Sequence, residues 1–175
     1  MDRHQGVTIL QATIPEHETF VHDLFAEYLR WVCQKIYEEY EAVFDAEAMI
    51  IGDMQKLDIF MPPKGILLIA VENEVPAGCA CTRTIEPGVA EMKRMYVRPA
   101  FRRRGIGRVL VQQTIETVRK LEYPVLRLDS AGFMHDAHAL YRSFGFQDIA
   151  PYSGSEIPVE YRKHWVFMEL NLSRK

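Results

Sequence analysis

Residues able to do chemistry are densest in the run Arg102-Arg103-Arg104-Gly105-Ile106-Gly107-Arg108. The run lies between a stretch of strand character and one of helix character. Its glycines free the backbone to turn tightly and let a ligand come close. The first amides of the following helix have no internal partner and point outward. With the helix dipole they make an anion site suited to phosphate, and the arginines add charge and bidentate donors. A lone G-x-G is more often only a turn, and two nucleotide-binding patterns do not fit the run. The pattern G-x-G-x-x-G fails, because Leu110 stands where the third glycine should be. The Walker pattern fails for want of Gly-Lys-Ser or Gly-Lys-Thr. The loop reads as a phosphate loop of another type.

The elements that must position this loop follow from periodicity. Val7 to Ala12 alternates weakly and predicts an edge strand. Pro15 sits where a first helical turn tolerates it, and Phe20, Leu24, Phe25, Tyr28, Leu29, Val32 and Ile36 follow at helical spacing. Ala42 to Leu57 predicts a second helix or a broken extension of the first. Pro62-Pro63-Lys64-Gly65 is a breaker. Ile66 to Glu72 and Ala77 to Ile85 are apolar and β-rich, and their short polar link predicts a hairpin. Ala90 to Arg98 is the next strand, ended by Pro99. Gly105 to Leu121 reads as a helix with Val111, Ile115 and Val118 in one stripe, stopped by Pro124. Val125 to Asp129 is a short strand. Asp136 to Phe144 is a short helix with Asp136 as its cap and Gly145 as its stop. His164 to Leu172 is the last strand. Interleaved helices and strands imply one mixed sheet in an α/β fold. The strands of the unit from Ala90 to Asp129 are expected to be parallel neighbours.

The bulk numbers narrow the classes. A chain of 175 residues fits one domain, and 48% apolar with 26% charged residues is an ordinary globular balance. A net charge of −3 gives no global field favouring nucleic acid or an anionic membrane. No apolar stretch approaches the length of a membrane span, and the N-terminus does not read as a signal peptide. Cys33, Cys79 and Cys81 cannot all pair. They read as reduced thiols in the cytoplasm, with Cys79 and Cys81 on one strand face. His135 and His138 are spaced H-x-x-H, but no third ligand is evident, so no metal is expected.

The run from Glu91 through Gly107, with Val97-Arg98-Pro99 leading into the glycine loop, resembles the acyl-CoA-binding motif of the GNAT superfamily of N-acyltransferases. A second run, Ala137-His138-Ala139-Leu140-Tyr141-Arg142-Ser143-Phe144-Gly145-Phe146, resembles that family's Ala-x-x-Leu-Tyr-x-x-x-Gly-Phe helix and turn. The resemblance implies a mostly antiparallel twisted sheet, flanked by helices, whose central parallel pair, the fourth and fifth strands, splays apart to grip acetyl-CoA. It implies that the amides from Arg102 through Arg108 bind the pyrophosphate. It implies too that the strand at Met95, Tyr96 and Val97 runs beside the pantetheine arm and pairs with it through Met95 and Val97. By the same resemblance, Ala137 and Tyr141 are expected to complete the cofactor contacts. Many members carry Asn where this chain has Met134, so one side-chain contact is expected to be missing.

Acyl transfer needs a neutral amine, a polarised carbonyl and a proton for the leaving thiolate, and holding the partners together supplies much of the rate. By resemblance, the Met95 amide donates to the thioester oxygen and Tyr141 protonates the thiolate. Glu91 stands where several members keep a catalytic glutamate. Alternation puts Glu91, Lys93, Met95 and Val97 on one face, barring a bulge. Its other reading is a strand-end surface carboxylate, and His138, His164 and Tyr152 are weaker candidates for the base. Glu38-Glu39-Tyr40-Glu41 reads as a solvated helix face. Tyr141 could also simply pack on Phe144 and Phe146. The expected acceptor is a small-molecule or peptide amine. It would be met by the first helical region and the segment Ala150 to Lys163. A non-catalytic acyl-CoA sensor is the alternative function, and a homodimer is a further possibility the fold allows.

Overall fold

Both faces of the strand run from Gly65 to Val97 must be covered, because its strands are apolar on either side. The computed structural model, which describes residues 6–173, shows how this is met. The elements are β1 (Val7–Gln11), α1 (Glu18–Tyr40), α2 (Ala46–Gln55), β2 (Gly65–Glu72), β3 (Val75–Glu86), β4 (Val89–Val97), α3 (Ile106–Lys120), β5 (Val125–Ala131), α4 (His135–Ser143), β6 (Gln147–Ile149) and β7 (Trp165–Asn171). They form a seven-stranded sheet in the order β1-β2-β3-β4-β5-β7-β6. Every neighbouring pair is antiparallel except β4 and β5, which are parallel.

Each strand sends alternate residues to two helical layers. Ile66 and Leu68 of β2, Met92 of β4 and Leu126 and Leu128 of β5 pack with Leu110, Val111 and Ile115 of α3 and with Tyr141 of α4. Leu67 and Ile69 of β2 and Cys79 and Cys81 of β3 pack with Val21, Leu24 and Phe25 of α1. A third cluster joins α1 to α2 through Leu29, Ile36 and Ile50. Asn73 and Glu74, at φ of 50° and 66°, make the two-residue hairpin turn between β2 and β3. No helix among the described residues is long and apolar enough to cross a membrane.

The parallel pair is the point of interest. β4 and β5 are in register only at Val89–Val125, Ala90–Leu126 and Glu91–Arg127. β4 continues to Val97 beside β3, and β5 continues to Ala131 beside β7, so the two strands part and leave a cleft.

Several expectations are corrected. α1 begins at Glu18, so Pro15 lies in the turn before it, where its carbonyl accepts from the Glu18 amide at 3.2 Å. α2 is shorter than expected, starting where Asp45 caps the Ala48 amide at 3.0 Å. Asp136 is not a cap. α4 starts one residue earlier, at His135, with Met134 in the cap position and Asp136 in the first turn, where its charge still suits the dipole. β6 is a three-residue edge strand too short to show a period. The segment before β7 ends in a 3-10 turn, Val159–His164. The largest correction is a bulge in β4. Cys79 faces Tyr96 and Cys81 faces Lys93, so three steps on β4 match two on β3, and Arg94 sits at φ 52°. Glu91 and Lys93 therefore do not share a face with Met95 and Val97. Met95 and Val97 pack instead with the α3 side, as Met92 does.

Candidate active site at the splayed strand pair

The bulge comes where the two strands have parted. Its carbonyls are held by buried thiols, with Cys79 Sγ donating to the Arg94 carbonyl and Cys81 Sγ to the Lys93 carbonyl, each at 3.3 Å. Burial pushes the Cys79 thiol up to about 12 and the Cys81 thiol well above its usual value, so both stay protonated donors. The Arg94 side chain turns towards α2 and binds Asp53 through two hydrogen bonds, at 2.5 and 3.0 Å.

The start of α3 lies beside the end of β4. Gly105 has φ 82°, a left-handed conformation that favours glycine. At Gly107, a Cβ would lie 3.2 Å from the Met95 methyl carbon and 3.5 Å from a Leu140 methyl, so the missing side chain lets α3, β4 and α4 converge. The amides of Gly105, Ile106, Gly107 and Arg108 find no backbone acceptor among the described residues, the first helical turn closing only with Val109 to Gly105 at 3.1 Å. Such a nest of outward amides at a helix start fits a pyrophosphate.

The arginines divide their work. The Arg102 amide donates to the Pro99 carbonyl at 3.2 Å. Its side chain donates to the Val97 carbonyl at 2.9 Å and lies over the Trp31 and Tyr96 rings. Arg102 is therefore committed internally, which corrects the expectation that the nest begins with its amide. The Val97 carbonyl, expected to meet the pantetheine, already accepts from that side chain. Arg104 binds Glu72 at 2.6 Å, and Arg108 donates to the Ser143 hydroxyl at 3.0 Å while lying over Phe144. Arg103, exposed and at φ 64°, has no side-chain partner among the described residues.

Tyr141 stands on α4 and packs into the core on the α3 side. It is buried, its ring packs against Phe146 at 5.9 Å, and burial raises its phenol well above the usual value, with Tyr28 adding to the effect. Its hydroxyl makes no hydrogen bond among the described residues. No buried side-chain polar atom among them lacks a partner, so this hydroxyl is not sealed off. Ala137 packs one turn before it against the same core.

Glu91 is fully buried, so it is not a surface carboxylate. Arg83 Nε binds its Oε2 at 2.8 Å, the Tyr152 hydroxyl donates to its Oε1 at 2.8 Å, and Lys93 Nζ lies 3.6 Å from Oε2. Glu156 completes the array, bridging Arg83 at 2.5 Å and Lys93 at 2.8 Å. Of the other candidates, His138 is buried with Nε2 3.1 Å from the Ser130 hydroxyl, and His164 stacks on Tyr40 at 4.4 Å. Glu38 pairs with Lys35 on the exposed end of α1, while Tyr40 turns inward against Phe133.

On the α1–α2 face, the splay opens into a hollow of about 360 Å³. Tyr28, Lys93, Asp129, Ser130, Glu156 and Trp165 line it. Burial pushes the Tyr28 phenol up to about 12 against the opposing pull of Arg94. Sequence reasoning missed Tyr28, Asp129 and Glu156. Asp129 was within reach of it, since alternation from Leu126 and Leu128 puts Asp129 on the face opposite α3.

The acetyltransferase (GNAT) family model matches residues 19–146. An uncharacterised N-acetyltransferase from Schizosaccharomyces pombe is 38% identical over 115 residues, covering 65% of this chain and 68% of the relative. An IAA acetyltransferase from Azospirillum brasilense is 32% identical over 111 residues, covering 63% and 71%. Among solved structures, the PaiA N-acetyltransferase from Thermoplasma acidophilum, in complex with coenzyme A, superposes with a TM-score of 0.72 at 18% identity over 94% of this chain and 98% of that one. An acetyltransferase of the GNAT family from Staphylococcus aureus Mu50 gives 0.73 at 17% identity over 95% and 99%. At such identities the structures speak for the fold, and the family model, which spans both the glycine loop and the Tyr141 helix, carries the assignment: this chain belongs to the acetyltransferase (GNAT) family.

Proposed function

We propose that this chain is an acyl-CoA-dependent N-acetyltransferase that passes an acetyl or other short acyl group directly to a primary amine in a ternary complex. The observation that carries the reading is the outward nest from Gly105 to Arg108, set beside a β4 that bulges just as it leaves β5. The S. pombe and A. brasilense relatives, both described as acetyltransferases, support it. When bound, the coenzyme supplies an acyl group already activated as a thioester. The nest and Arg103 hold the pyrophosphate by backbone donors and charge. The Met95 amide, at the bulge, donates to the carbonyl oxygen as charge develops there. Tyr141, kept protonated by burial, gives its proton to the departing sulfur as the carbon–sulfur bond breaks. The acceptor ammonium sheds one proton to solvent before it attacks and a second as the carbon–nitrogen bond forms, which restores Tyr141. Glu91, with both oxygens engaged, organises Arg83, Lys93 and Tyr152 and does not meet the amine itself. The hollow on the α1–α2 face admits the acceptor from the side opposite α3 and α4.

Calorimetric titration with acetyl-CoA, followed by thiol release over a panel of amines, tests this. Saturable binding with thiol release on at least one amine is expected. Absence of acetyl-CoA binding would overturn the reading, since the nest would then be only a turn. Binding without release on any amine would favour a sensor.

A further inference from the structure

Beyond the Glu91–Arg127 pair, the next residues on the α1–α2 face are Lys93 on β4 and Asp129 on β5. Both line the hollow, but their situations differ. Lys93 is engaged by Glu156 at 2.8 Å, with Glu91 at 3.6 Å. Asp129 accepts from the Ser155 hydroxyl at 2.8 Å on Oδ2, and its Oδ1 has no partner among the described residues. No buried side-chain polar atom among those residues is without a partner, so Oδ1 is open to the hollow or to solvent. The remaining carboxylates that line the hollow are already matched, Asp53 by Arg94 through both oxygens and Glu156 by Arg83 and Lys93. Asp129 is thus the carboxylate of the hollow with an oxygen to offer. Tyr28, Phe44, Met134 and Trp165 give the same hollow an apolar and aromatic wall, while Arg94 and Lys56 line it as cations.

We infer that Asp129 receives the ammonium group of the acceptor, and that the acceptor is a small monoamine carried on an apolar or aromatic body. The inference rests on the N-acetyltransfer reading above. A cation entering a partly desolvated hollow gains most from an unmatched carboxylate, because the attraction is screened less there than in water. The apolar wall takes up the rest of the molecule. A polyamine would bring a second ammonium towards Lys56, the lining cation that has no side-chain partner among the described residues, where like charges repel. Asp129 lies on the strand across the cleft from Met95, so an amine held at Oδ1 is poised between the two parted strands.

The test compares wild type with Asp129→Asn, a variant that keeps an acceptor for Ser155. Acetyl-CoA affinity and melting temperature are measured first, then binding of 2-phenylethylamine to the protein–CoA complex through tryptophan fluorescence, since Trp165 lines the hollow. Thiol release is then followed with 2-phenylethylamine and with spermidine. Loss of one hydrogen bond to a charged group predicts that Asp129→Asn weakens 2-phenylethylamine binding and raises its KM about 10- to 100-fold. The acetyl-CoA Kd is expected to stay within twofold, and wild type to favour 2-phenylethylamine over spermidine. Equal KM in the two proteins overturns the role of Asp129. Preference for spermidine, or a protein–CoA complex that does not take up 2-phenylethylamine, overturns the acceptor class. All three outcomes leave the acyltransferase reading standing, whereas a wild type that does not bind acetyl-CoA removes that reading and the inference with it.

Discussion

Burial decides what Tyr141 can do. A phenol in water is already a weak acid, and desolvation on α4 raises it further, so its neutral form is the one present at any pH the enzyme meets. It can give a proton to a thiolate and cannot serve as a base. Tyr141→Phe removes that proton and leaves the ring packed on Phe146. The expected outcome is a fall in kcat of about 10²- to 10⁴-fold, with the acetyl-CoA Kd and the melting temperature nearly unchanged. The wild-type rate is also expected to show no alkaline fall from Tyr141 up to its ordinary pKa of about 10, because the shift is upward. An equal kcat in the variant would leave Tyr141 a packing residue. The placement of Tyr141 on a short helix was legible because its motif is local, ten consecutive residues on one helix and turn. Glu91 was legible as a position and not as a state. Its partners Arg83 and Tyr152 stand 8 and 61 residues away in sequence, so no local pattern announces a fully buried and fully bonded carboxylate. Asp129 escaped notice for a related reason, since what distinguishes it is a missing partner.

At the scale of elements, the segment between β6 and β7 is a loop fastened at several points. Tyr152 donates to Glu91, the Gly154 carbonyl accepts from Arg83 at 3.2 Å, Ser155 donates to Asp129, and Glu156 bridges Arg83 and Lys93. Burial alone would raise the Glu156 carboxyl, but Lys93 and Arg83 outweigh it and hold the group at about 2. A carboxyl lowered on folding stabilises the fold above its ordinary value, and that contribution fades as the pH falls through the folded value. The urea midpoint of wild type is therefore expected to exceed that of Glu156→Gln at pH 6. The gap should narrow from about pH 4.5 towards pH 2. Because Glu156 is half exposed, solvent screening keeps the gap small. A gap that does not change with pH would mean the bridge contributes nothing. The sequence marked this stretch only as a loop able to close over an acceptor, and its fastenings were invisible because every partner lies on another strand. The β4 bulge was hidden in a similar way. Alternation through Glu91, Lys93, Met95 and Val97 looks unbroken, and only the register against Cys79 and Cys81 shows the extra residue.

The molecule as a whole is two sub-sheets joined by a short seam. β1 to β4, with α1, α2 and α3, make one part, and β5 to β7, with α4, make the other, yet β4 and β5 are in register over three positions alone. The parallel pair was readable from the sequence, because a strand–helix–strand unit leaves little choice of topology, whereas the place of β6 outside β7 was not. The shortness of the seam was expected only through the family resemblance. A coenzyme bound as proposed above would touch both parts, the nest on α3 and the bulge of β4 on one side and Tyr141 of α4 on the other. Binding to the folded state alone stabilises it by RT ln(1 + [L]/Kd), about 2.7 kcal/mol at a hundredfold excess over Kd. For a chain of this length that corresponds to a rise in melting temperature of roughly 5–10 °C. Where the protection falls discriminates more than its size. A coenzyme that only neutralises the loop would slow hydrogen exchange at the start of α3 and nowhere else. A coenzyme that bridges the seam would slow exchange together at residues 93–97 of β4, at the start of α3 and along α4, since opening either part would then break contacts with the other. Exchange measured with and without acetyl-CoA is expected to show the second pattern, and protection confined to α3 would mean that the cleft between β4 and β5 does not hold the ligand.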